Sequence, residues 1–166
     1  AISYKNHLVR LSPRLEFERI KIDTLLREGA GAINAFEFDA NGNVWINAKG
    51  IGIYQYHPST GALRMWNETD GLPGSRIHKI TIDSLGRIWA MVYNKISVYM
   101  PASDQFFNFK IPYSENNYLY VNHLSTRKNG HILGTINNDL FEFFPERILQ
   151  HPHAPKPVIS QILCSG

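Results

Sequence analysis

The chain has 166 residues, 43% of them hydrophobic and 19% charged, which is the composition of a soluble globular segment about one domain long. Its formal charge of +3 comes from scattered lysines and arginines, so the basic stripe that a nucleic-acid partner needs is missing. No stretch reaches the ~20 apolar residues of a membrane helix, no charged-then-apolar leader is visible, and a single cysteine, Cys164, excludes an internal disulfide and a cysteine-based zinc site.

Taken in chain order, the sequence is a repeat. Asn6-His-Leu8-Val-Arg-Leu11-Ser-Pro13 sits one unit ahead of the segment 50–58. After a connection whose residues 22–28 are its nearest approach to a helix, a first unit contains short runs at 35–38, 44–48, 53–56 and 63–66. Within it, Asp39-Ala-Asn-Gly42-Asn-Val-Trp45 recurs 44 residues later (83−39, 89−45) as Asp83-Ser-Leu-Gly86-Arg-Ile-Trp89. A weaker third copy, Arg127-Lys-Asn-Gly130-His-Ile-Leu133, lies 44 residues further on (130−86). Ile53-Tyr-Gln-Tyr56-His-Pro58 returns as Ile96-Ser-Val-Tyr99-Met-Pro101 and as Leu140-Phe-Glu-Phe143-Phe-Pro145. Asn41-Gly42 is a type I′ hairpin signal. Pro58-Ser-Thr-Gly61 and Pro101-Ala-Ser-Asp104 mark the next turn, and Asp70-Gly-Leu-Pro-Gly74 carries the chain onward.

Four short strands in about 44 residues make a propeller blade. Helical repeats fail as a competitor, because turn residues interrupt every ten residues or so and no apolar 3.6-residue stripe survives. The sequence therefore predicts an all-β partial propeller cut from a larger ring: a half blade at 1–20, full blades at 33–66 and 77–109, and an incomplete blade at 118–144. Three blades cannot close a ring, so the natural chain is expected to extend upstream. The fragment alone is expected to self-associate through its open ends as a homodimer.

The unit Asp-x-x-Gly-x-aliphatic-Trp, followed by a Gly-containing turn, an aromatic and Pro, resembles the two-component regulator propeller repeat, and so does Asp70-Gly71-Leu72-Pro73. The family's usual Trp-Ile-Gly-Thr is replaced by Trp45-Ile-Asn-Ala and Trp89-Ala-Met-Val, while the third copy keeps Gly134-Thr135 without a tryptophan. After a linker from residue 146, Pro155-Lys-Pro157-Val-Ile-Ser-Gln-Ile162-Leu-Cys-Ser-Gly166 looks like the opening strand of the Ig-like triple-tyrosine domain that follows such propellers. The resemblance implies a periplasmic sensor region of a hybrid histidine kinase, responding to a glycan-derived ligand such as an oligosaccharide. It implies contact with the membrane only through regions outside this segment.

Gly42, Trp45, Gly86, Trp89 and Gly130 hold one phase and read as architecture, with the tryptophans wedged between blades rather than stacked on a sugar. Asn34, His78 and Asn122 also share a phase, at the start of each blade's first strand, and inner strands line a propeller's channel. With Arg76 and His123 they are the candidate ligand-facing residues, polar groups suited to a hydroxyl-rich ligand. No carboxylate stands beside them in the sequence, which speaks against a propeller lyase or hydrolase. A scaffold that binds another protein is the remaining alternative. His151-Pro152-His153 reads as linker, not metal site; no cofactor or metal is expected. Neither a nucleophile elbow nor a phosphate loop occurs, and Cys164 reads as a buried strand residue.

Overall fold

The computed structural model describes residues 33–111, 121–137 and 139–150, together with the backbone of 7–11 and 17–21. The helix-like stretch 22–28, the histidines at 151 and 153, the Ig-like opening and Cys164 lie outside them.

A hairpin of β1 (His7–Leu11) and β2 (Phe17–Lys21) comes first. Two four-stranded antiparallel meanders follow. The first runs through β3 (Ile33–Phe38), β4 (Val44–Ala48), β5 (Gly52–His57) and β6 (Ala62–Trp66). The second runs through β7 (Ile77–Ile82), β8 (Ile88–Val92), β9 (Lys95–Met100) and β10 (Gln105–Lys110). A three-stranded sheet of β11 (Val121–Thr126), β12 (Ile132–Ile136) and β13 (Asp139–Phe143) precedes a short helix, α1 (Pro145–Leu149). The opening strands β3, β7 and β11 lie side by side, so the sheets are successive blades of a partial β-propeller. The hairpin β1–β2 falls 45 residues before β5–β6 (52−7, 62−17), in the phase of a blade's third and fourth strands.

Blades stack face to face, which is why β4 and β8 are buried at every position: a second strand flanked within its sheet and covered on both faces has no solvated side to alternate with. Trp45, Ile53, Trp66, Leu72, Ile77, Ile80, Ile88 and Tyr99 form the core between the two full blades. Trp89, Met91, Val98, Leu124, Ile132, Phe141 and Phe143 form the next. In the first core Trp45 stacks on Trp66 with ring centroids 5.0 Å apart, and Tyr99 of the following blade leans on both at 5.4 and 5.0 Å.

The repeated motif has a physical basis. Asp39 accepts the backbone N–H groups of Asn41 (3.0 Å) and Asn43 (2.9 Å) with one carboxylate oxygen and the Trp45 indole N–H (3.1 Å) with the other. Asp83 does the same for Leu85, Arg87 and Trp89, the indole bond being 2.7 Å. One carboxylate thus closes the turn and satisfies the only polar group of a tryptophan that is otherwise inside the core. At Asp39 these hydrogen bonds outweigh the opposing effect of burial, the largest single influence, and hold the acid below its ordinary pKa.

The expected type I′ turn is not formed. Type I′ needs positive φ at both central residues, and here Gly42 alone has it (+79°) while Asn41 does not. Gly42 N–H bonds to the Asp39 carbonyl and Asp39 N–H to the Asn43 carbonyl, a three-residue loop ending in a left-handed glycine. The carboxylate of Asp39, drawing in the amides of residues 41 and 43, selects that loop.

The connection Asp70–Pro73 is pinned just as locally. Asn67 and Asp70 form a reciprocal capping box around the 3₁₀ turn Glu68–Asp70, Gly71 closes it at φ +100°, and Leu72 is driven into the interblade core. The second full blade ends at Lys110, one residue beyond the predicted boundary.

Truncating Trp89, which is wholly buried, is expected to cost about 3–5 kcal/mol in the manner of large core aromatics. Urea unfolding of Trp89→Ala checks it; an unchanged midpoint would mean that this ring does not hold the blades together.

Candidate functional site

The three in-phase polar residues occupy a shared structural irregularity. In β3, Ile33 pairs with Ala48 and Ala35 with Asn47, leaving Asn34 as the extra residue of a β-bulge. In β7, His78 is extra between Ile77 and Lys79. In β11, Asn122 is extra between Val121 and His123. A bulge releases its residue from the ladder and re-aims it. The same register shift therefore recurs at the same position of three successive blade-opening strands.

Where these strands meet, a concavity of about 400 Å³ opens on the inner wall, lined by residues of β3, β7 and β11. Asn34, Asn122 and His123 belong to its lining, whereas Arg76 and His78 do not. Arg76 is exposed, ahead of β7, and its carbonyl accepts the backbone N–H of Tyr93. His78 is half-buried; burial, and then the charge of Arg76, push its imidazole below the ordinary value. The five candidates are thus divided into three at the concavity and two, Arg76 and His78, outside its lining.

The lining also holds residues that the sequence reading missed. Glu37 and Lys79, both half-buried, and the exposed ring of Phe36 complete the wall. Burial raises the Glu37 carboxyl above its ordinary pKa. The expectation that no carboxylate stands beside the polar candidates is therefore corrected: Glu37 is three residues from Asn34 in sequence and shares its cavity. The available signal was phase. Lys79 is 44 residues before His123 (123−79), so both stand one step past the bulge.

The site's geometry is set locally. His123 donates its backbone N–H to the Thr135 hydroxyl (3.1 Å), and its Nε2 lies 2.9 Å from the Ser125 hydroxyl. Deeper in the wall, the hydroxyls of Thr81 and Thr126 are 3.2 Å apart and tie β7 to β11. Two amides, an imidazole, a lysine side chain and a carboxyl group beside an aromatic ring can hydrogen-bond a polyhydroxylated molecule while covering its apolar face. Trp45 and Trp89, by contrast, are 2% and 0% exposed and touch no cavity of this wall.

Among the described residues, no group of three His, Cys, Asp or Glu side chains could hold a metal ion. No helix among them is long and apolar enough to cross a membrane.

The described chain resembles several solved propellers. The extracellular domain of BT3049 from B. thetaiotaomicron, described as a hybrid two-component system, superposes with a TM-score of 0.67 at 21% identity over 86% of this chain and 19% of that one. The extracellular domain of BT4673 from the same organism, described likewise, gives 0.60 at 23% identity over 69% of this chain and 16% of its own. Virginiamycin B lyase from Staphylococcus aureus gives 0.66 at 18% identity over 86% and 46%. The chain thus spans about a fifth or less of the two extracellular domains and just under half of the lyase. No protein-family model matches the chain, and no curated protein does.

His78, which lies outside the lining of the concavity, gives the protein a pH signature. Its folded pKa is depressed from about 6.5, so its contribution to stability is complete above about pH 6.5 and is lost as pH falls through the lower folded value. The unfolding midpoint is expected to decline over that window and to lose part of this slope in His78→Gln. Equal slopes in the two proteins would contradict the depressed value.

Proposed function

We propose that the chain is part of the extracytoplasmic, periplasmic sensor propeller of a two-component regulator, and that the β3–β7–β11 concavity contacts a glycan-derived ligand whose binding is passed to a histidine kinase. The observation that carries the reading is the repeated bulge that places Asn34 and Asn122 around one concavity with Glu37, Lys79 and His123. It is supported by the fold shared with two extracellular domains of hybrid two-component systems and by the Asp-x-x-Gly-x-aliphatic-Trp repeat.

A ligand spanning the wall touches strands of more than one blade. It shifts a signalling equilibrium only to the extent that it binds one blade arrangement better than another, and the inner strands are where such a difference arises. Packing between blades is dense and apolar, so a small displacement at β3 or β11 is carried into the stacked sheets.

The test uses the full natural protein. Its reading frame is expected to continue into a membrane helix and a kinase. Its affinity for an oligosaccharide mixture, followed by calorimetry, is expected to fall at least tenfold in the Asn34→Ala, Asn122→Ala double variant with the melting temperature unchanged. A stop codon soon after Gly166 with no kinase, or an unaltered affinity, would overturn the reading.

A second reading draws on Glu37. A carboxyl with a raised pKa in a cleft is a general-acid candidate, and the lyase shares the fold. The two readings separate on Glu37→Gln. A sensor is expected to keep part of its binding and to turn over no oligosaccharide before or after the change. Turnover in the parent protein that Glu37→Gln abolishes would make this wall an active site.

A further inference from the structure

The turn between the first and second strands of each full blade ends on a residue that serves the motif's aspartate. In the first full blade it is Asn43, whose Nδ2 donates to the Asp39 oxygen that also takes the Trp45 indole (2.9 Å). In the second it is Arg87, 44 residues on (87−43), whose Nε donates to the matching oxygen of Asp83, the one that takes the Trp89 indole. An amide is therefore enough for the turn. The guanidinium brings a charge and further N–H groups that the motif does not use, although its side chain is only 8% exposed. That surplus faces a second concavity, of about 420 Å³, between the first turns of the second and third blades and the residues that open α1. It lies at the far ends of β7 and β11 from their bulges. There Arg87 Nη2 donates to Glu146 Oε1 (2.6 Å), and Glu146 is a surface side chain, 64% exposed. Arg147 lines the same space with its guanidinium 4.7 Å from the centre of the Phe144 ring, and it has no ion pair among the described residues.

We propose that this concavity is a second binding site, for a small organic acid whose carboxylate takes the place of Glu146 on Arg87. A buried guanidinium has to keep a partner, because a buried charge left unpaired is strongly destabilising. Asp83 provides the permanent one. Glu146 provides one that swings into solvent without uncovering a core, since its side chain is mostly exposed already. Exchanging one carboxylate for another leaves Arg87 paired throughout, and the planar fork of a guanidinium suits a carboxylate better than a hydroxyl. An acid is favoured over a neutral molecule by the charges that line the space. With Glu146 displaced, two guanidiniums face it, while Asp83 is already engaged by the turn amides, the Trp89 indole and Arg87. Asn129 adds an amide for a hydroxyl or carbonyl of the ligand, and Leu85, 66% exposed, adds an apolar flank. Glu146 is then a tethered competitor, and the apparent affinity is scaled by the fraction of molecules in which it has swung away. The site shares no residue with the concavity of the inner wall and is independent of the ligand proposed there.

The test is calorimetric titration of the full natural protein with two acids, sodium galacturonate and sodium N-acetylglycine. They share the carboxylate and differ in source, one an acidic sugar and the other a peptide-type acid. At least one is expected to bind, and the tighter of the two names the source. Its affinity is expected to rise about tenfold in Glu146→Gln, where the competitor has lost its charge. Binding is expected to vanish in Arg87→Asn, which keeps the amide-to-aspartate bond that Asn43 makes in the first blade. The Asn34→Ala, Asn122→Ala variant of the inner wall is expected to bind the acid as the parent does, which separates the two sites. Binding of neither acid, binding that survives Arg87→Asn, or an affinity unchanged or weakened in Glu146→Gln would overturn the proposal. In the last case a lowered melting temperature would identify Glu146 as a strut that fastens α1 to the second blade. If Arg87→Asn does not fold, Glu146→Gln decides alone, because a gain of affinity is the opposite of what lost structure produces.

Discussion

The structure depends on a carboxylate that serves a turn and a tryptophan at once. A propeller blade needs a large flat side chain to fill the gap between twisted sheets, and an indole fills it at least cost where its N–H finds an acceptor, as at Trp45 and Trp89 but not at Trp66, whose buried N–H has no partner. Left unmet, such a group costs about 1–3 kcal/mol. Asp39 and Asp83 provide the acceptor from a turn they already close. The same oxygen of Asp83 also takes Arg87, whose other end reaches Glu146 at the start of α1 (2.6 Å). Hairpin, blade packing and the helix after the last strand are thereby linked through one acid.

The third copy shows the same constraint by its loss. Arg127 stands where the aspartate was and Leu133 where the tryptophan was. Without the carboxylate an indole there would have no acceptor, and without the indole the carboxylate would have only the turn to serve. The turn survives on backbone bonds from Arg127 N–H to the His131 carbonyl and from Gly130 N–H to the Arg127 carbonyl, helped by Asn129 accepting the His131 amide. Asp and Trp are therefore one unit of information. Their joint replacement leaves a blade face of ion pairs and half-buried Leu133 in place of an aromatic wedge.

Most of the architecture was legible because repetition multiplies weak signals. A single Val44–Ala48 run is ambiguous between helix and strand, but three in-phase copies between turns are not. The predicted runs fall within β3–β6, the run 44–48 coinciding with β4 and no end displaced by more than two residues. What escaped was whatever depends on side chains choosing among backbone options. Asn41-Gly42 suggested one hairpin, and the carboxylate at Asp39 selected another. The bulge at Asn34, His78 and Asn122 was invisible as a bulge, although the shared phase of those residues was plain. Without it the alternation along β3 could not be counted correctly, and Glu37 was not placed beside Asn34.

That division between the legible and the hidden follows the division of labour in the blade. Positions facing the neighbouring sheets are fixed by packing: tryptophan in both full blades on the second strand, and tyrosine on the third at Tyr56 and Tyr99. Positions on the inner wall vary from blade to blade, although some of them, Ala35 and Thr81 among them, also pack or hydrogen-bond inward. The bulge residue is Asn, His, then Asn; the next is Ala35, Lys79, then His123; and the residue two further on is Glu37, Thr81, then Ser125. The sheets hold this varied row in one register, so its exposed members, such as Asn34, Asn122 and His123, differ in chemistry while the strands that carry them keep the same pairing. A binding surface is best placed where the fold constrains backbone and leaves side chains free, and that is the physical ground for proposing the strip running from β3 across β7 to β11.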